Sequence, residues 1–362
     1  MNVDKKRIIR ILRVVMPLVA LVCIVTLPPW AGIKAWLSPL PDSVQQQVDD
    51  AVHDGLDGVI VYVDQGGRAP RLYAAGWKDA AHRVPADPHA LFKIASISKL
   101  YIAAATVKLV HRHVLSLDDT LAQRLPELAG HIANADRITL RMLLQHRSGI
   151  PNFVDADGFD WARRQADSND NLKLVLDKPA DFAPGERRRY SNTNYLLIGA
   201  ILDRALGYSH QRYIQQELLK PLGLNHTYGS LRDVNPADLA SGHQHGIDAD
   251  LKTLDFETPG GSMVATARDV GVFVRALNDG SLFDPEERAL YASVYEYGHA
   301  GWLPGYHSIA RYHRDIDTVV VEFVSTTGGD RELLTNVVYK RIVRILRRQA
   351  HAKMDPMPAP SA

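Results

Sequence analysis

The chain has 362 residues, a formal net charge of +1, and 46% hydrophobic and 23% charged residues. This length provides core for one large domain or two ordinary ones, and the composition is that of a globular protein rather than of a disordered chain. Because the net charge is close to zero, no overall field favours nucleic acid, and no nucleic-acid partner is expected.

A basic start followed by an apolar run opens the chain. Five Lys and Arg residues lie within residues 1–13, and residues 14–33 carry no charge. This pattern is typical of a signal sequence or a membrane anchor, and the run is near the length that spans a bilayer. No clear small-x-small cleavage site follows, so residues 1–36 are predicted to stay attached as an anchor, with the basic end in the cytoplasm. Cys23, the single cysteine, lies in this run, so the rest of the chain has neither a disulfide nor a cysteine metal site.

Strand patterns lie at both ends of the globular part and helix patterns lie between them. The predicted elements are, in chain order, a helix over residues 43–53, strands over 58–63 and 71–75, a mainly helical region over 115–285, strands over 306–313 and 318–324, and a closing helix over 332–348.

The simplest fold that accommodates this order of strands and helices is a mixed α/β fold of the α+β kind. Its antiparallel sheet would be built from both chain ends and flanked by helices, with an all-helical middle region inserted at about residues 115–285. Residues 37–350 would form this one domain. Residues 351–362 are rich in proline and are predicted to be a disordered tail.

An apolar stretch from Ser96 to Val110 contains only two charged residues, Lys99 and Lys108. Because it leaves no clean polar face, the pattern predicts a helix buried in a core. Lys108 lies near the helix C-terminus, where a cation suits the helix dipole. Lys99 lies in the first turn, where an ammonium group is unfavourable, so this lysine needs another explanation.

Ser96 and Lys99 are three residues apart and therefore share one face of the helix. Burial and the dipole are both expected to lower the pKa of Lys99, as a lysine that accepts a proton requires. This combination can activate a serine nucleophile without a histidine. The alternative is that Ser96 is an ordinary N-cap and Lys99 a surface lysine, since the same spacing also arises by chance.

Tyr190 and Asn192 lie in a loop before an apolar helical pattern at residues 195–206. Next to Lys99, the phenolate of Tyr190 would be favoured by the cation, so Tyr190 is a candidate proton shuttle for Ser96. Asn192 offers an amide donor and an acceptor to a substrate amide. The alternative is that Tyr190 is a half-buried turn tyrosine and Asn192 the N-cap of the next helix.

His299 and Gly301 begin a glycine-rich segment that continues with Trp302. Another His-x-Gly begins at His53, so the order along the chain and the glycine-rich surroundings select His299. Glycine at position 301 would let a strand edge approach a substrate closely and leave N–H groups free. An N–H of that edge and the N–H of Ser96 would together form an oxyanion hole.

The order Ser-x-x-Lys, Tyr-x-Asn and His-x-Gly resembles the serine β-lactamase and penicillin-binding protein superfamily. The branch with class C β-lactamases, D-alanyl-D-alanine carboxypeptidases and related esterases is the most similar. The resemblance spans roughly residues 45–348, and the family fold, a sheet from both chain ends around a helical region, agrees with the predicted elements. Further segments that match lie at residues 92–99, 138–151, 184–185, 190–195, 220–224 and 259–269.

The resemblance implies a role for each motif residue. Ser96 would be the acylated nucleophile, and Lys99 and Tyr190 would relay its proton to the leaving group. Asn192 would bind the substrate side-chain amide. In the third segment, His299 would orient Tyr190 or bind a substrate carboxylate, and Gly301 would let the substrate approach the strand edge. The backbone N–H groups of Ser96 and Trp302 would form the oxyanion hole.

The family reading implies a bacterial enzyme anchored in the inner membrane through residues 14–33, with a periplasmic or extracellular domain. Its most favoured substrate is a D-alanyl peptide of the cell wall. His299 stands where many members carry lysine, and a histidine is mostly neutral at pH 7, so β-lactam hydrolysis ranks lower. An esterase or amidase on small acyl substrates is the first alternative, and a non-hydrolytic sensor or scaffold is the second.

Neither a metal nor another cofactor is expected. His243, His245, Asp248 and Asp250 lie close together in sequence, but they offer no third ligand at typical spacing and are interpreted as a polar loop. The chain has no Gly-x-Ser-x-Gly elbow and no His-Glu-x-x-His motif, which disfavours an α/β-hydrolase and a zinc protease.

Overall fold

The computed structural model describes residues 5–26, 29–161 and 168–354. The helices are α1 (Lys5–Thr26), α2 (Trp30–Leu37), α3 (Val44–His53), α4 (Ser98–His111), α5 (Leu121–Arg124), α6 (Leu140–Leu144), α7 (Ser168–Lys173), α8 (Asn192–Leu206), α9 (His210–Ile214), α10 (Ala267–Asp279), α11 (Pro285–Val294) and α12 (Arg331–Met354). The strands are β1 (Gly58–Gln65), β2 (Arg71–Asp79), β3 (Val84–Pro85), β4 (Phe92–Lys93), β5 (Thr227–Tyr228), β6 (His243–Gln244), β7 (Val264–Ala265), β8 (His299–Leu303), β9 (Tyr306–His313), β10 (Thr318–Val324) and β11 (Thr326–Thr327).

One antiparallel sheet joins the two ends of the globular part. Its six strands follow the order β3-β2-β1-β10-β9-β8, so β1 from the beginning of the domain lies beside β10 from its end. This pairing confirms the predicted fold class. The strand β8 lies at one edge of the sheet, and it is this edge that carries His299 and Gly301.

Both faces of the sheet are buried because the central strands are apolar on both sides. Along β1, Ile60 and Tyr62 face the larger core, which contains α4, α8 and α10. The alternating residues Val59, Val61 and Val63 face the smaller core formed with α3 and α12. The sheet is therefore a layer between terminal helices on one side and the helices of the middle region on the other.

The predicted buried helix after Ser96 is α4, preceded by a short 3₁₀ turn over Ala95–Ile97. Its alanine, leucine and isoleucine side chains contact the larger core all round, as the absence of a polar face predicted. Lys108 lies near its C-terminus and forms an ion pair with Glu287 at 3.1 Å. The alternative role of Ser96 as an N-cap is not what the structure has, because Ile97 occupies the N-cap position of α4.

The middle region is mainly helical, as predicted, but it also contributes three short strands. The strand β7 pairs with β4 and β5, and β6 pairs with β11 in parallel. Each of these strands has two residues, so no alternation of apolar and polar residues could develop in the sequence. Their pairing with distant segments, rather than local propensity, defines them.

The N-terminal boundary predicted at residues 36 and 37 falls inside α2. This helix belongs with the domain, because the guanidinium of Arg341 donates to the carbonyls of Ala35 and Ser38 at 2.7 and 2.8 Å, and Ala31 N–H donates to Asp330 at 3.2 Å. Across the described ranges, no helix combines the length and the hydropathy needed to cross a bilayer.

The closing helix is longer than predicted. It continues to Met354, so the first four residues of the predicted tail, 351–354, are helical. The remaining residues of that tail, 355–362, lie outside the described ranges.

Candidate active site

Ser96 lies in the 3₁₀ turn at the start of α4, where the backbone is fixed from several sides. Ala95 has a φ of +49°, a conformation that non-glycine residues rarely adopt. The hydroxyl of Ser98 donates to the Ala95 carbonyl at 2.6 Å, and Ile94 N–H donates to the Met263 carbonyl at 3.1 Å. This left-handed residue turns the chain sharply from β4 into the helix and places Ser96 at the rim of a cavity.

Lys99 is fully buried, and its amine lies 3.1 Å from the Ser96 hydroxyl oxygen. The same Nζ donates to Asn192 Oδ1 at 2.9 Å and to the Gly260 carbonyl at 2.7 Å. Burial lowers the pKa of Lys99 to about 7. The alternative interpretation as a surface lysine is therefore wrong, and a substantial fraction of Lys99 is neutral near pH 7.

Tyr190 also contacts the nucleophile, since its hydroxyl donates to Ser96 Oγ at 2.7 Å. The predicted electrostatic effect on this tyrosine is not what the structure shows. Burial raises the pKa of Tyr190 above its ordinary value, although the hydrogen bond to Ser96 opposes this shift. The amine of Lys99 lies over the ring, 5.0 Å from its centroid, rather than against the hydroxyl. Tyr190 is therefore a neutral phenol at rest, not a phenolate.

Asn192 is the first residue of α8, and Ser191 precedes it as the N-cap, so the alternative of Asn192 as an N-cap is wrong. Its oxygen accepts from Lys99, and its Nδ2 donates to Asn152 Oδ1 at 3.3 Å. The backbone N–H of Asn192 donates to the same Asn152 oxygen at 2.9 Å. Asn192 thus holds Lys99 in place, and one of its two amide hydrogens remains for a substrate.

His299 lines the same cavity and is buried. Its Nε2 lies 3.4 Å from a carboxylate oxygen of Glu296, and its ring centroid lies 6.2 Å from that of Tyr190. Burial, reinforced by the charge of Lys99, lowers the pKa of His299 to about 4. The imidazole is therefore neutral at pH 7 and offers no positive charge to a substrate carboxylate.

Gly301 allows β8 to approach the serine turn closely. A Cβ atom at this position would lie 2.3 Å from the Ile94 carbonyl oxygen and 2.5 Å from the Ser308 hydroxyl. Trp302 follows on the same edge strand, and its indole N–H donates to Glu332 at 3.0 Å. The strand edge thus lies directly against the turn of Ser96, as the predicted oxyanion hole requires, and the use of the Ser96 and Trp302 N–H groups stays a prediction.

A cavity of about 360 Å³ opens beside these groups. The aromatic residues Trp161, Phe256 and Trp302 contribute to its wall, with ring centroids 5.3 Å apart for Trp161 and Phe256 and 5.6 Å apart for Trp161 and Trp302. Among the described residues that line it, none is Lys, Arg, Asp or Glu. The remaining lining residues are Ala95, Ser96, Asn152, Val154, Tyr190, Asn192, Gly261, His299, Ala300, Gly301, Leu303 and His307.

The structure brings all seven predicted site residues together at one cavity or in contact with its lining. It also adds residues that the sequence did not single out, among them Asn152, Gly260, Trp161 and Phe256. Gly260 lies within the matching segment at residues 259–269, whereas Asn152 comes directly after the segment at residues 138–151. A backbone carbonyl and an apolar wall leave no residue-type signal of their own.

One group of side chains outside this cavity approaches the geometry of a metal site. The ligand atoms of His111, Asp284 and Glu287 lie within 4.8 Å of one another. Both carboxylates already have structural roles, because Glu287 pairs with Lys108 and Asp284 caps α11. His243, from the predicted polar loop, lies in β6, with its Nδ1 3.6 Å from Asp57.

Comparison with known sequences places the chain in a family. The family model described as Beta-lactamase matches residues 44–295, more than half of the chain. The protein named Protein flp from Staphylococcus aureus (strain COL) is 25% identical over 246 residues, covering 65% of this chain and 49% of that protein. The chain thus spans about half the length of this relative.

Solved structures give the same fold. The D-amino acid amidase from Ochrobactrum anthropi SV3, complexed with L-phenylalanine amide, superimposes with a TM-score of 0.76 at 24% identity, covering 86% of this chain and 99% of the amidase. A penicillin-binding protein from Bacillus halodurans gives a TM-score of 0.71 at 22% identity, covering 83% and 99%. Because the family model matches more than half of the chain, the chain belongs to the β-lactamase family.

Proposed function

We propose that the protein hydrolyses small, neutral amides or esters that carry an apolar group, through an acyl-enzyme on Ser96. The observation that carries this proposal is the cavity beside Ser96, which has aromatic walls and, among its described lining residues, no charged side chain. Such a cavity favours an apolar substrate group and gives a free carboxylate no cationic partner, and burial of an unpaired charge is costly.

Lys99 is the base in the acylation step. When neutral, Lys99 has two N–H groups, and two fixed acceptors, Asn192 Oδ1 and the Gly260 carbonyl, lie 2.9 and 2.7 Å away. Its lone pair is then left facing the Ser96 hydroxyl at 3.1 Å. The proton of Ser96 passes to Lys99 as Oγ bonds to the substrate carbonyl carbon.

Tyr190 completes the proton path to the leaving group. As a neutral phenol 2.7 Å from Ser96 Oγ, it can give its proton to the departing amine or alkoxide. The proton that Lys99 took from Ser96 then returns to the Tyr190 phenolate, which requires the amine to move from its place over the ring to the hydroxyl oxygen. The carbon–nitrogen or carbon–oxygen bond breaks, the acyl group stays on Ser96, and water then attacks the ester to release the acid. The N–H groups of Ser96 and Trp302 would stabilise the oxyanion in both steps.

The amide part of the proposal draws support from the structural neighbour, a D-amino acid amidase in complex with L-phenylalanine amide. An amide of this kind carries an apolar side chain and no carboxylate. The esterase or amidase hypothesis therefore ranks above the D-alanyl-D-alanine carboxypeptidase, because a carboxypeptidase must hold a terminal carboxylate and His299 is neutral here.

A D-alanyl peptide remains the second candidate for one reason. Arg188 lies 3.9 Å from Glu296, which is in turn 3.4 Å from His299 Nε2. A cation is thus present just beyond the histidine that would face the leaving group, and an extended peptide substrate could reach it.

A matched pair of substrates separates these candidates. The purified full chain is assayed with N-acetyl-D-phenylalanine amide, which carries no charge, and with N-acetyl-D-phenylalanyl-D-alanine, whose leaving group bears a carboxylate. We expect kcat/KM to be at least about tenfold higher for the amide, and both activities to disappear in Ser96→Ala. A preference for the dipeptide would overturn the neutral-substrate proposal and favour the carboxypeptidase.

The same preparation tests the remaining alternatives. A fluorescent penicillin that forms a stable adduct with the wild type but not with Ser96→Ala would favour a penicillin-binding enzyme. An unlabelled protein that also leaves amides, dipeptides and p-nitrophenyl esters intact would favour the non-hydrolytic sensor or scaffold.

A further inference from the structure

A buried histidine outside the three motifs lies directly behind the catalytic tyrosine. His146 follows α6, is fully buried, and has a φ of +57°, which is uncommon for a residue other than glycine. Its ring centroid lies 4.4 Å from that of Tyr190 and 5.2 Å from that of Tyr195. A strained backbone held by its surroundings at this position indicates a function beyond filling space.

The hydrogen bonds of His146 define which of its nitrogens carries the proton. The backbone N–H of Ser191 donates to its Nδ1 at 3.3 Å, and Asn194 Nδ2 lies 3.3 Å from the same atom. Asn194 is oriented by Ser148, whose hydroxyl donates to Asn194 Oδ1 at 2.6 Å. Because a backbone N–H can only donate, Nδ1 is an acceptor and the proton of the neutral ring is on Nε2.

The same histidine holds the segment through its backbone as well. The carbonyl of His146 accepts from Arg189 N–H at 2.9 Å. His146 therefore contacts three consecutive residues, Arg189, Tyr190 and Ser191, by one backbone bond, one ring contact and one side-chain bond. The next residue, Asn192, is the one that holds the amine of Lys99.

The ring keeps its acceptor over the working pH range. Burial, together with the charges of Lys99 and Arg188, lowers the pKa of His146 to about 2. A protonated ring would turn an N–H toward the Ser191 N–H and place a positive charge near the Lys99 ammonium. The environment therefore excludes the protonated form, and the contact to Ser191 persists.

We propose that His146 is a positioning residue that fixes the Tyr190–Asn192 segment. The Tyr190 hydroxyl is thereby held against Ser96 Oγ, and the side-chain oxygen Oδ1 of Asn192 is held against the amine of Lys99. This inference rests on the proposed acylation of Ser96. It assigns no contact with substrate to His146. Its expected signature is a slower acylation step with little change in substrate binding, because the cavity wall itself is unchanged.

Two substitutions separate the ring from the acceptor. His146→Phe keeps a ring against Tyr190 and removes the acceptor for Ser191. His146→Asn keeps an acceptor at a similar distance from the backbone, removes the ring, and suits a positive φ. Leu202→Ala is the control, since it removes buried volume from α8 at the end remote from Asn192, and Leu202 does not line the cavity beside Ser96.

The readout is the burst of p-nitrophenolate from p-nitrophenyl butyrate, normalised to the fraction of folded protein. We expect His146→Phe to lower the acylation rate constant about 30-fold, because a small displacement of a catalytic group is enough for such a loss. The Kd of the ester, taken from the dependence of the burst rate on ester concentration, should stay within about threefold of wild type. His146→Asn should recover part of this rate. Leu202→Ala should keep the wild-type rate constant per folded molecule.

Other outcomes are equally decisive. An acylation rate within about threefold of wild type in both His146 variants, or a loss matched by Leu202→Ala, would show a merely structural residue. If the wild type does not turn over the ester, the proposed function fails separately, and the rate of Ser96 labelling by a fluorophosphonate becomes the readout. Equal labelling of wild type and His146→Phe, or no labelling of either, then overturns the positioning role.

Discussion

Lys99 is the residue on which the proposed acylation depends. Its position in the first turn of a buried helix was unfavourable enough to be noticed in the sequence, and the structure gives the reason, since three acceptors surround an amine that is cut off from water. The state of Tyr190 could not be predicted in the same way. Its pKa depends on how completely the surrounding helices bury it, and a motif carries no information about that burial.

The lowered pKa of Lys99 predicts both a rate profile and a stability profile. Lys99 accepts the serine proton only when neutral, so kcat/KM should rise with pH and reach half its plateau near pH 7. In the unfolded chain Lys99 keeps its proton up to about pH 10.4, so the unfolded state binds the additional proton between these values and stability rises with pH there.

Replacing Lys99 tests the predicted rise of stability with pH. Lys99→Met should abolish acylation and should increase the free energy of unfolding more at pH 6 than at pH 9, by about 3 kcal/mol over that interval. Urea unfolding at the two pH values measures the difference. A gain that is the same at both, or larger at pH 9, would contradict a charged and destabilising Lys99 at low pH.

Gly301 gives a second prediction at the residue scale. The methyl group of Gly301→Ala would lie 2.3 Å from the Ile94 carbonyl oxygen, so β8 must move away from the serine turn. We expect kcat/KM to fall by about two orders of magnitude, the loss typical of one oxyanion donor. Gly130→Ala, where a Cβ meets nothing within 4 Å, is the matched control and should behave as wild type in the same ester assay.

At the scale of elements, long periodic segments were predictable and short paired ones were not. The helix α4 could be predicted because its segment is apolar on all faces, with Lys99 and Lys108 as its only charged residues before His111. By contrast, β7 has two residues and exists because it pairs with β4 and β5. The Pro259–Gly261 loop was recognised as a segment, but that its carbonyl at Gly260 binds Lys99 follows only from the tertiary structure.

The strand β10 contains a carboxyl group whose effect on stability can be predicted. Glu322 is fully buried, and neither of its carboxyl oxygens has a hydrogen-bond partner among the described residues. Burial raises the pKa of Glu322 well above its ordinary value, so the folded state keeps the proton while the unfolded chain releases it. Stability from this group is therefore complete below about pH 4 and is lost as pH rises.

Glu322→Gln removes this ionisation at constant shape. The variant should unfold at a higher temperature than wild type at pH 8 and at nearly the same temperature at pH 4. Thermal unfolding followed by circular dichroism measures both. An equal difference at the two pH values would mean that packing, and not the proton, determines the effect.

At the scale of the whole molecule, the sequence predicted the closure of the two chain ends into one sheet, and the pairing of β1 with β10 confirms it. The helix α2, inside which the predicted N-terminal boundary falls, contacts α12 through backbone carbonyls that have no signature in the sequence. The aromatic wall of the cavity was likewise not predicted. Trp161 and Phe256 are far apart in sequence and meet only in the fold.

Membrane attachment through residues 14–33 stays a prediction, and the position of α2 shows where to test it. Removal of residues 1–28 leaves α2 and its contacts with Arg341 intact. We expect the full chain in the membrane fraction of an expressing bacterium and the truncated chain, with unchanged ester hydrolysis, in the soluble fraction. Recovery of both chains in the soluble fraction would contradict membrane attachment through residues 14–33.

The central claim is that a neutral substrate acylates Ser96 in an aromatic, uncharged cavity, and one measurement addresses it directly. The full chain is mixed with p-nitrophenyl butyrate, quenched within the first turnover, and its intact mass and peptide map are recorded beside those of Ser96→Ala. We expect a gain of one butyryl group, located on Ser96 and lost on further incubation. Hydrolysis that persists in Ser96→Ala, or that proceeds without a covalent butyryl group on Ser96, would contradict it.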